Sequence, residues 1–234
     1  MLSGTGEAPA GPRVETPAGE AWGVGPATMA TAVFELAGAR EELFPPALHP
    51  TVPVLARFEC IDAGRWRAAR LGLSCRAGVR PRLYVIGGFV DGDPACTRRL
   101  VDGWAWPPDR AEISLETGYD RSRITVGGDD LVLAIDLRDP TPLAADDVQW
   151  FSALHPASTA QGPRLVQADL RPEVHRAERV RPALGAFVAA AWGHPALAPA
   201  HPVTGAVTTA ELTLAPVRFQ NRVDVWAFDG TERL

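Results

Sequence analysis

Two charged residues at strand spacing are the first candidates for chemistry in this sequence. Arg57 and Glu59 lie in an alternating segment, residues 52–60, and residues two apart on a strand project to the same side. If that side is enclosed, burial raises the pKa of Glu59 and the guanidinium lowers it, which suits a general acid or base acting on a carbonyl compound. Two alternatives stay open. The pair can be a structural ion bridge, or Phe58 and Cys60 can face inward and leave Glu59 outside or at a subunit interface.

A run of arginines, Arg76, Arg80 and Arg82, is the second candidate. Guanidinium groups are permanently charged forks that match carboxylate or phosphate, so the run, and Arg76 in particular, could hold an acidic substrate. The alternative is a solvated or intersubunit face that pairs with the many acids of the chain.

Large rings supply the remaining candidates. Trp104 and Trp106 would favour a flat or polycyclic ligand if they bordered a cavity, although tryptophans are first of all core residues. His155 lies on a predicted strand and is a candidate for substrate binding, with a hydrogen-bonded structural role as the alternative. No set of residues has metal-ligand spacing, so we expect no metal.

The basic residues are all arginine: 23 in the 234 residues, with no lysine. This excludes mechanisms that need a lysine amine of this chain, including Schiff-base catalysis and a phosphate-binding P-loop. The formal net charge of -5 and a pI near 5.6 argue against a phosphate-backbone binder. Because no nucleotide fingerprint or Ser–His–Asp grouping is present, we expect no cofactor and no nucleic-acid partner.

The apolar segments and the cysteines of the chain indicate the compartment in which we expect it. No apolar run is long enough to span a bilayer, and the N-terminus has no apolar segment typical of a signal peptide. Three cysteines cannot pair completely and suit a reducing compartment. We therefore expect a cytoplasmic protein without a membrane partner.

The elements that must position the candidate residues are mostly strands. A Gly-, Pro- and Ala-rich start predicts a flexible tail over residues 1–30, in which Met29 could be the true start, followed by one domain over residues 31–234. Strands are predicted over residues 52–60, 66–75, 83–90, 113–117, 121–126, 131–137, 149–154, 164–170, 204–214 and 217–226, and helices over 38–44, 94–101 and 182–192. Because so many strands need their edges covered, we predict a mainly β (α+β) fold, a closed antiparallel cone or barrel with a few short helices.

The order of several short motifs resembles the acetoacetate decarboxylase superfamily over about residues 33–225. The motifs are Leu48-His49-Pro50, Arg57-Phe58-Glu59, Thr97-Arg98-Arg99-Leu100, Trp106-Pro107, Leu154-His155, Gly162-Pro163-Arg164-Leu165, His175-Arg176-Ala177 and Pro182-Ala183-Leu184. Residues 75–82 are similar to an actinobacterial branch of that superfamily. The resemblance implies a closed β-cone with an apolar interior, a homo-oligomer, and decarboxylation of a β-keto acid through a lysine Schiff base.

The sequence departs from the family at the residues that this chemistry needs. The resemblance places paired lysines after an aromatic-Pro dipeptide, whereas Trp106-Pro107 is followed here by Pro108-Asp109. Both amines are therefore absent, and Schiff-base decarboxylation is excluded for this chain.

Other positions implied by the resemblance are also altered. Glu59 keeps a family glutamate, but a second carboxylate falls near Cys75 and is lost. An acidic helix residue becomes Arg99, a candidate for substrate binding, and His155 stands at a family lysine position. The arginine that holds the substrate carboxylate in the family has no counterpart near residues 27–33.

These observations leave two hypotheses for function. The first is a lysine-free enzyme of secondary metabolism that acts on a keto acid or polyketide-like carbonyl compound, by lyase, dehydratase, isomerase or cyclase chemistry, with Glu59 and Arg57 as the catalytic pair. The second is a pseudoenzyme or small-molecule-binding barrel, which the loss of family positions favours. The retained pair of charges makes the enzyme our preferred hypothesis.

Overall fold

Strands dominate the computed structural model, which describes residues 12–14, 18–37, 43–45, 48–77, 80–160 and 162–222. The strands are β1 (Trp22–Leu36), β2 (His49–Pro50), β3 (Leu55–Asp62), β4 (Trp66–Ala77), β5 (Arg80–Gly92), β6 (Ile113–Thr117), β7 (Arg121–Val126), β8 (Leu133–Pro142), β9 (Ala153–Thr159), β10 (Gly162–Ala168), β11 (Leu170–Phe187), β12 (Pro199–Leu214) and β13 (Arg218–Arg222). One α-helix, α1 (Pro94–Trp104), and short 3-10 helices at Ala145–Asp147 and Ala189–Trp192 complete the described elements.

All thirteen strands belong to one sheet, in the order β13-β10-β9-β5-β4-β3-β1-β12-β11-β8-β7-β6, with β2 paired beside β4. The pairs are antiparallel except β5 with β9, which is parallel. The sheet curls into a half-barrel, so the predicted mainly β fold is confirmed, while full closure is only partly formed.

The central strands are buried on both faces. On β3, Ala56, Phe58 and Cys60 belong to one apolar cluster, while Ile61 on the opposite face belongs to another. Phe58 makes edge contacts with other rings of its cluster, including Trp192 at 5.8 Å between centroids. Because alternate residues face opposite sides, the apolar side chains and the charged ones of this strand are both enclosed.

Helix α1 begins where the sequence predicts. The Asp93 side chain accepts hydrogen bonds from the backbone N–H groups of Ala95 (2.8 Å) and Cys96 (3.1 Å), and Pro94 occupies the first turn. The helix runs three residues beyond the predicted end at Val101 and terminates at Ala105, which has a left-handed φ of 56°.

The helix predicted over residues 182–192 is wrong for most of its length. β11 continues to Phe187, and Pro182, Ala183 and Leu184 pair with β8. Only the end of the segment is helical, as the 3-10 helix Ala189–Trp192. Alanine-rich composition is a weak preference for helix, and pairing with β8 overrides it. The helix predicted over residues 38–44 lies mostly outside the described residues.

Residues 22–30, which the sequence analysis assigns to a flexible tail, are part of a strand, because β1 begins at Trp22. Between Trp22 and Ala27 only β12 pairs with this strand, so the missing N–H of Pro26 disrupts no second ladder. The strands predicted over 149–154 and 217–226 are also shifted: β9 starts at Ala153, and residues 223–226 lie outside the described part.

Among the described residues, no helix has the length and apolar character needed to cross a bilayer.

A chain that starts at Met29 should be strongly destabilised. It would lose residues 22–28 of β1 and the Trp22 ring, whose centroid lies 5.9 Å from that of Trp66 and 5.7 Å from that of Trp104. Loss of a packed tryptophan costs about 3–5 kcal/mol, so we expect a thermal midpoint lower by about 6 °C or more. A chain that starts at Pro12 is the control in differential scanning fluorimetry. Equal midpoints would show that the first half of β1 is dispensable.

Candidate functional site

The centre of the candidate site is a buried carboxylate shared by two guanidinium groups. Glu59 and Arg70 are partners across β3 and β4, and Arg57 lies two residues from Glu59 on the same face. Arg57 Nε donates to Glu59 Oε1 at 2.7 Å, and Arg70 Nε donates to Oε2 at 2.6 Å. The exposed fractions are 7% for Arg57, 5% for Glu59 and 1% for Arg70. The predicted pair is therefore a triad.

Arg70 is held by two of the predicted ring residues. Its Nη1 lies 3.2 Å from His155 Nε2, and its guanidinium carbon lies 4.7 Å from the centroid of the Trp106 ring. Because a guanidinium only donates, we infer that His155 Nε2 accepts and that Nδ1 carries the proton. Both rings therefore support a charged side chain at the inner end of the site.

His155 is neutral in this arrangement. Complete burial, followed by the positive charge of Arg70, lowers the pKa of His155 well below its ordinary 6.5. A neutral imidazole can accept from Arg70 without adding a third positive charge.

Glu59 is ionised. Burial is the largest single influence and raises the pKa of its carboxyl, but the charges and hydrogen bonds of Arg70 and Arg57 together outweigh it and lower the pKa from 4.5. Among the described residues, neither guanidinium pairs with another carboxylate. Two buried cations against one anion leave one net positive charge in the site.

Two cavities meet at Arg57. The first, of about 170 Å³, is the apolar chamber; its lining includes Val33, Leu55, Leu83 and Phe151. The second, of about 320 Å³, is the polar trough; its lining includes Thr31, Asp147, Arg179 and Ala206. The sheet forms one wall of each, and the connection between β8 and β9 contributes to the other.

That connection also fixes Arg57. The Arg57 Nη2 donates to the Gln149 carbonyl oxygen at 2.9 Å, and the Phe151 ring centroid lies 5.3 Å from the guanidinium carbon. With Nε engaged by Glu59, Nη1 is the nitrogen that has no protein hydrogen bond among the described residues. This nitrogen is available to a ligand.

One member of the arginine run, Arg82, reaches this site, and the other two do not. Arg76 and Arg80 are exposed, and Arg76 borders neither cavity. Arg82 is buried and borders the apolar chamber together with Arg57. The structure therefore brings Arg82, but neither Arg76 nor Arg80, to the cavities beside the triad.

Arg99 and Trp104 form a different group, beside the N-terminal part of β1. The Arg99 guanidinium carbon lies 4.5 Å from the Trp22 ring centroid and 5.8 Å from that of Trp104. Trp104 is 1% exposed, and its Nε1 donates to the Ala215 carbonyl oxygen at 2.7 Å. These contacts tie α1 to β1 and β12, away from the triad.

Arg70 is the site residue that our sequence reasoning missed. It interrupts an apolar segment, Ala68-Ala69-Arg70-Leu71, in the middle of a predicted strand. A single charge in such a segment must find a buried partner, and that was the available signal. Within the described ranges, no group of three His, Cys, Asp or Glu side chains could hold a metal ion.

Comparison with known proteins gives the fold. No family model matches the chain, and no curated protein matches its sequence. An acetoacetate decarboxylase structure is 18% identical, covers 94% of both chains and has a TM-score of 0.73. The acetoacetate decarboxylase from Legionella pneumophila subsp. pneumophila str. Philadelphia 1 is 18% identical over 91% of this chain and 92% of its own, with a TM-score of 0.66.

A third structure, the enduracididine biosynthesis enzyme MppR complexed with pyruvate, is 18% identical over 90% of this chain and 92% of its own, with a TM-score of 0.65. At these identities the similarity establishes an acetoacetate decarboxylase-like fold, in agreement with the resemblance of the motifs. Membership of the actinobacterial branch remains a prediction.

Replacing the shared carboxylate should damage stability more than replacing one of its partners. Glu59→Gln leaves two buried guanidinium groups without a counter-charge, which should cost about 3–5 kcal/mol. Arg57→Gln leaves Glu59 paired with Arg70, so the decrease in the free energy of unfolding should be less than half as large. Urea unfolding measures the stability of both variants. Equal losses of stability would contradict a net positive charge in the triad.

Stability should depend on His155 at mildly acidic pH. Between its lowered folded pKa and 6.5, the unfolded state binds a proton that the folded state does not, so the free energy of unfolding falls as the pH falls. One such group contributes a loss of about 1.4 kcal/mol per pH unit. His155→Gln should lose less stability than wild type between pH 7.5 and 5.5, with His201→Gln as the exposed control. Parallel profiles for the His155 variant and wild type would show that His155 is charged in the fold.

Proposed function

We propose that this chain is an acetoacetate decarboxylase-like enzyme that binds a small keto acid or related carbonyl compound at Arg57 and transforms it without a Schiff base. The observation that carries the proposal is the net positive charge of the buried Arg57–Glu59–Arg70 triad beside two cavities. A buried charge is costly unless it is paired, so the site favours an anion.

The apolar chamber supports a small substrate body. Its volume of about 170 Å³ corresponds to about six water molecules. A carboxylate at Arg57 Nη1 would let a short carbon chain lie against Val33, Leu55 and Phe151. Structural neighbours support this class of ligand, since MppR structures contain pyruvate and a condensation product of pyruvate and imidazole 4-carboxaldehyde.

The triad also supports acid/base chemistry. A substrate carboxylate beside Arg57 would add negative charge near Glu59 and would draw the guanidinium away from it, and both effects raise the pKa of the Glu59 carboxyl. Substrate binding would thereby turn an ion-pair partner into a better base. Lyase, dehydratase, isomerase and cyclase reactions all need such a group, with Arg57 stabilising the negative charge that develops.

A second candidate is a binding protein without turnover. Both Glu59 oxygens already accept hydrogen bonds from guanidinium groups, and its pKa is lowered in the unliganded site. That observation favours a structural carboxylate that only holds Arg57 ready for an anion. Independence from cofactors, homo-oligomer formation, a cytoplasmic location and a role in secondary metabolism remain predictions.

Arg57→Gln should weaken carboxylate binding. A hydrogen bond to a charged group contributes about 1.5–3 kcal/mol, so we expect the Kd for pyruvate or acetoacetate to rise at least about tenfold. Isothermal titration calorimetry measures this, and Arg67→Gln, which removes an arginine of β4 that is also paired with an acid, is the control. Unchanged affinity in the Arg57 variant would overturn the proposed site.

Turnover separates the two candidates. Wild type is incubated with acetoacetate, or with pyruvate and imidazole 4-carboxaldehyde, and products are followed by NMR. Because Glu59→Gln is expected to destabilise the fold, Glu59→Asp, which keeps the charge and shortens the side chain, is the second variant. The enzyme proposal requires turnover that both variants reduce; intact turnover in a folded Glu59 variant rejects the acid/base role. Mass spectrometry that recovers one unaltered ligand, without turnover, favours the binding protein.

A further inference from the structure

A row of paired residues runs from the triad across the floor of the polar trough. Thr31 on β1 is the register partner of Glu59 on one side and of Ala206 on the other, and Ala206 is the partner of Arg179 on β11. Directly paired residues of antiparallel strands project to the same face. Glu59, Thr31, Ala206 and Arg179 therefore share the face that carries the trough.

Thr31 has a hydroxyl that nothing in the described protein uses. The residue is 7% exposed and borders the trough, yet its hydroxyl has no hydrogen-bond partner among the described residues. A hydroxyl that borders a cavity and has no protein partner can donate a hydrogen bond to a ligand there. Its position next to Glu59 and close to Arg57 makes it a donor directed at whatever occupies the inner end of the trough.

Arg179 supplies a second positive charge to the same cavity. Its side chain is exposed, borders the trough, and has no carboxylate partner among the described residues. Three strand spacings, about 14 Å, separate its backbone from that of Glu59. Ala206, which lies between Arg179 and Thr31, has only a methyl side chain. The long Arg179 side chain therefore has room to extend towards Thr31.

Asp147 limits where an anion can lie. It borders the trough from the connection between β8 and β9, so its carboxylate repels negative charge on its own side. The Thr31 side carries a hydroxyl donor and the Arg57 guanidinium instead. An anion is therefore most stable over Thr31, between Arg57 and Arg179.

We propose that Thr31 and Arg179 complete the carboxylate site that begins at Arg57. The substrate carboxylate lies over Thr31, accepts a hydrogen bond from its hydroxyl, and is flanked by the two guanidinium groups. The rest of the molecule extends past Val33, which borders both cavities, into the apolar chamber. This assignment rests on the proposed function and names the residues that select a carboxylate over a neutral carbonyl compound.

The hydroxyl is tested with an isosteric pair of variants. Thr31→Val removes the donor and keeps the shape, whereas Thr31→Ser keeps the donor. The probes are pyruvate and its neutral amide, pyruvamide, measured by calorimetry. We expect wild type to bind pyruvate more tightly than pyruvamide. Thr31→Val should weaken the affinity for pyruvate about tenfold, and the affinity of Thr31→Ser should remain within about threefold of wild type. Thr28→Val, the same change on the same strand but outside the trough, is the control.

The second cation is tested with Arg179→Gln. Because this side chain is exposed and its charge is screened, we expect a loss of about threefold to fivefold in pyruvate affinity at low salt and a smaller loss at high salt. Pyruvamide binding should not change. Arg171→Gln, an exposed arginine on the same strand, is the control for non-specific charge effects.

The outcomes separate this inference from the proposed function. If Arg57→Gln abolishes pyruvate binding while Thr31→Val and Arg179→Gln bind normally, the inference is overturned and the site at Arg57 stands. If folded wild type binds neither pyruvate nor acetoacetate, the proposed function fails first and the inference fails with it. Equal losses for pyruvate and pyruvamide in Thr31→Val would show a packing effect and would also overturn the inference.

Discussion

The carboxylate of Glu59, shared between Arg57 and Arg70, is the interaction on which the rest of the site depends. Three charged groups on two adjacent strands are enclosed by a curled sheet, by the Trp106 and His155 rings and by the connection between β8 and β9. Each neighbour contributes something different. Trp106 and neutral His155 hold Arg70 without adding charge, and Gln149 holds Arg57 by a carbonyl oxygen. The triad of two guanidinium groups and one carboxylate therefore keeps one net positive charge, and its member Arg57 lies where the two cavities meet.

Burial of β3 on both faces makes this arrangement possible. One face packs Phe58 and Cys60 into an aromatic and aliphatic cluster that supplies stability through apolar area. The other face can then carry charged groups at a cost that the fold tolerates. In a strand with only one buried face, the same face would have to hold both the core residues and the charged residues of a site. Alternation along a single segment of eight residues serves both purposes in this chain.

Local signals carried most of what could be predicted from the sequence. The Asp93-Pro94 helix start, the strand that holds Arg57 and Glu59, and the mainly β fold are properties of short segments, and the structure confirms them. The failures needed information about distant partners. Residues 182–187 are a strand because β8 pairs with them, and residues 22–30 are ordered because β12 does. Arg70 entered the triad through a cross-strand register that spacing within one strand does not reveal.

The absence of lysine changes the kind of chemistry that this fold can perform. A lysine amine can lose its proton, attack a carbonyl and become an iminium ion, so one residue both binds the substrate and withdraws electrons from it. A guanidinium stays protonated and can only donate hydrogen bonds and stabilise negative charge. Under the proposed function, buried arginines would attract a carboxylate without a covalent step. The sole carboxylate within hydrogen-bond distance of Arg57 in the described part of the chain is Glu59, so the proposed proton transfer depends on this residue.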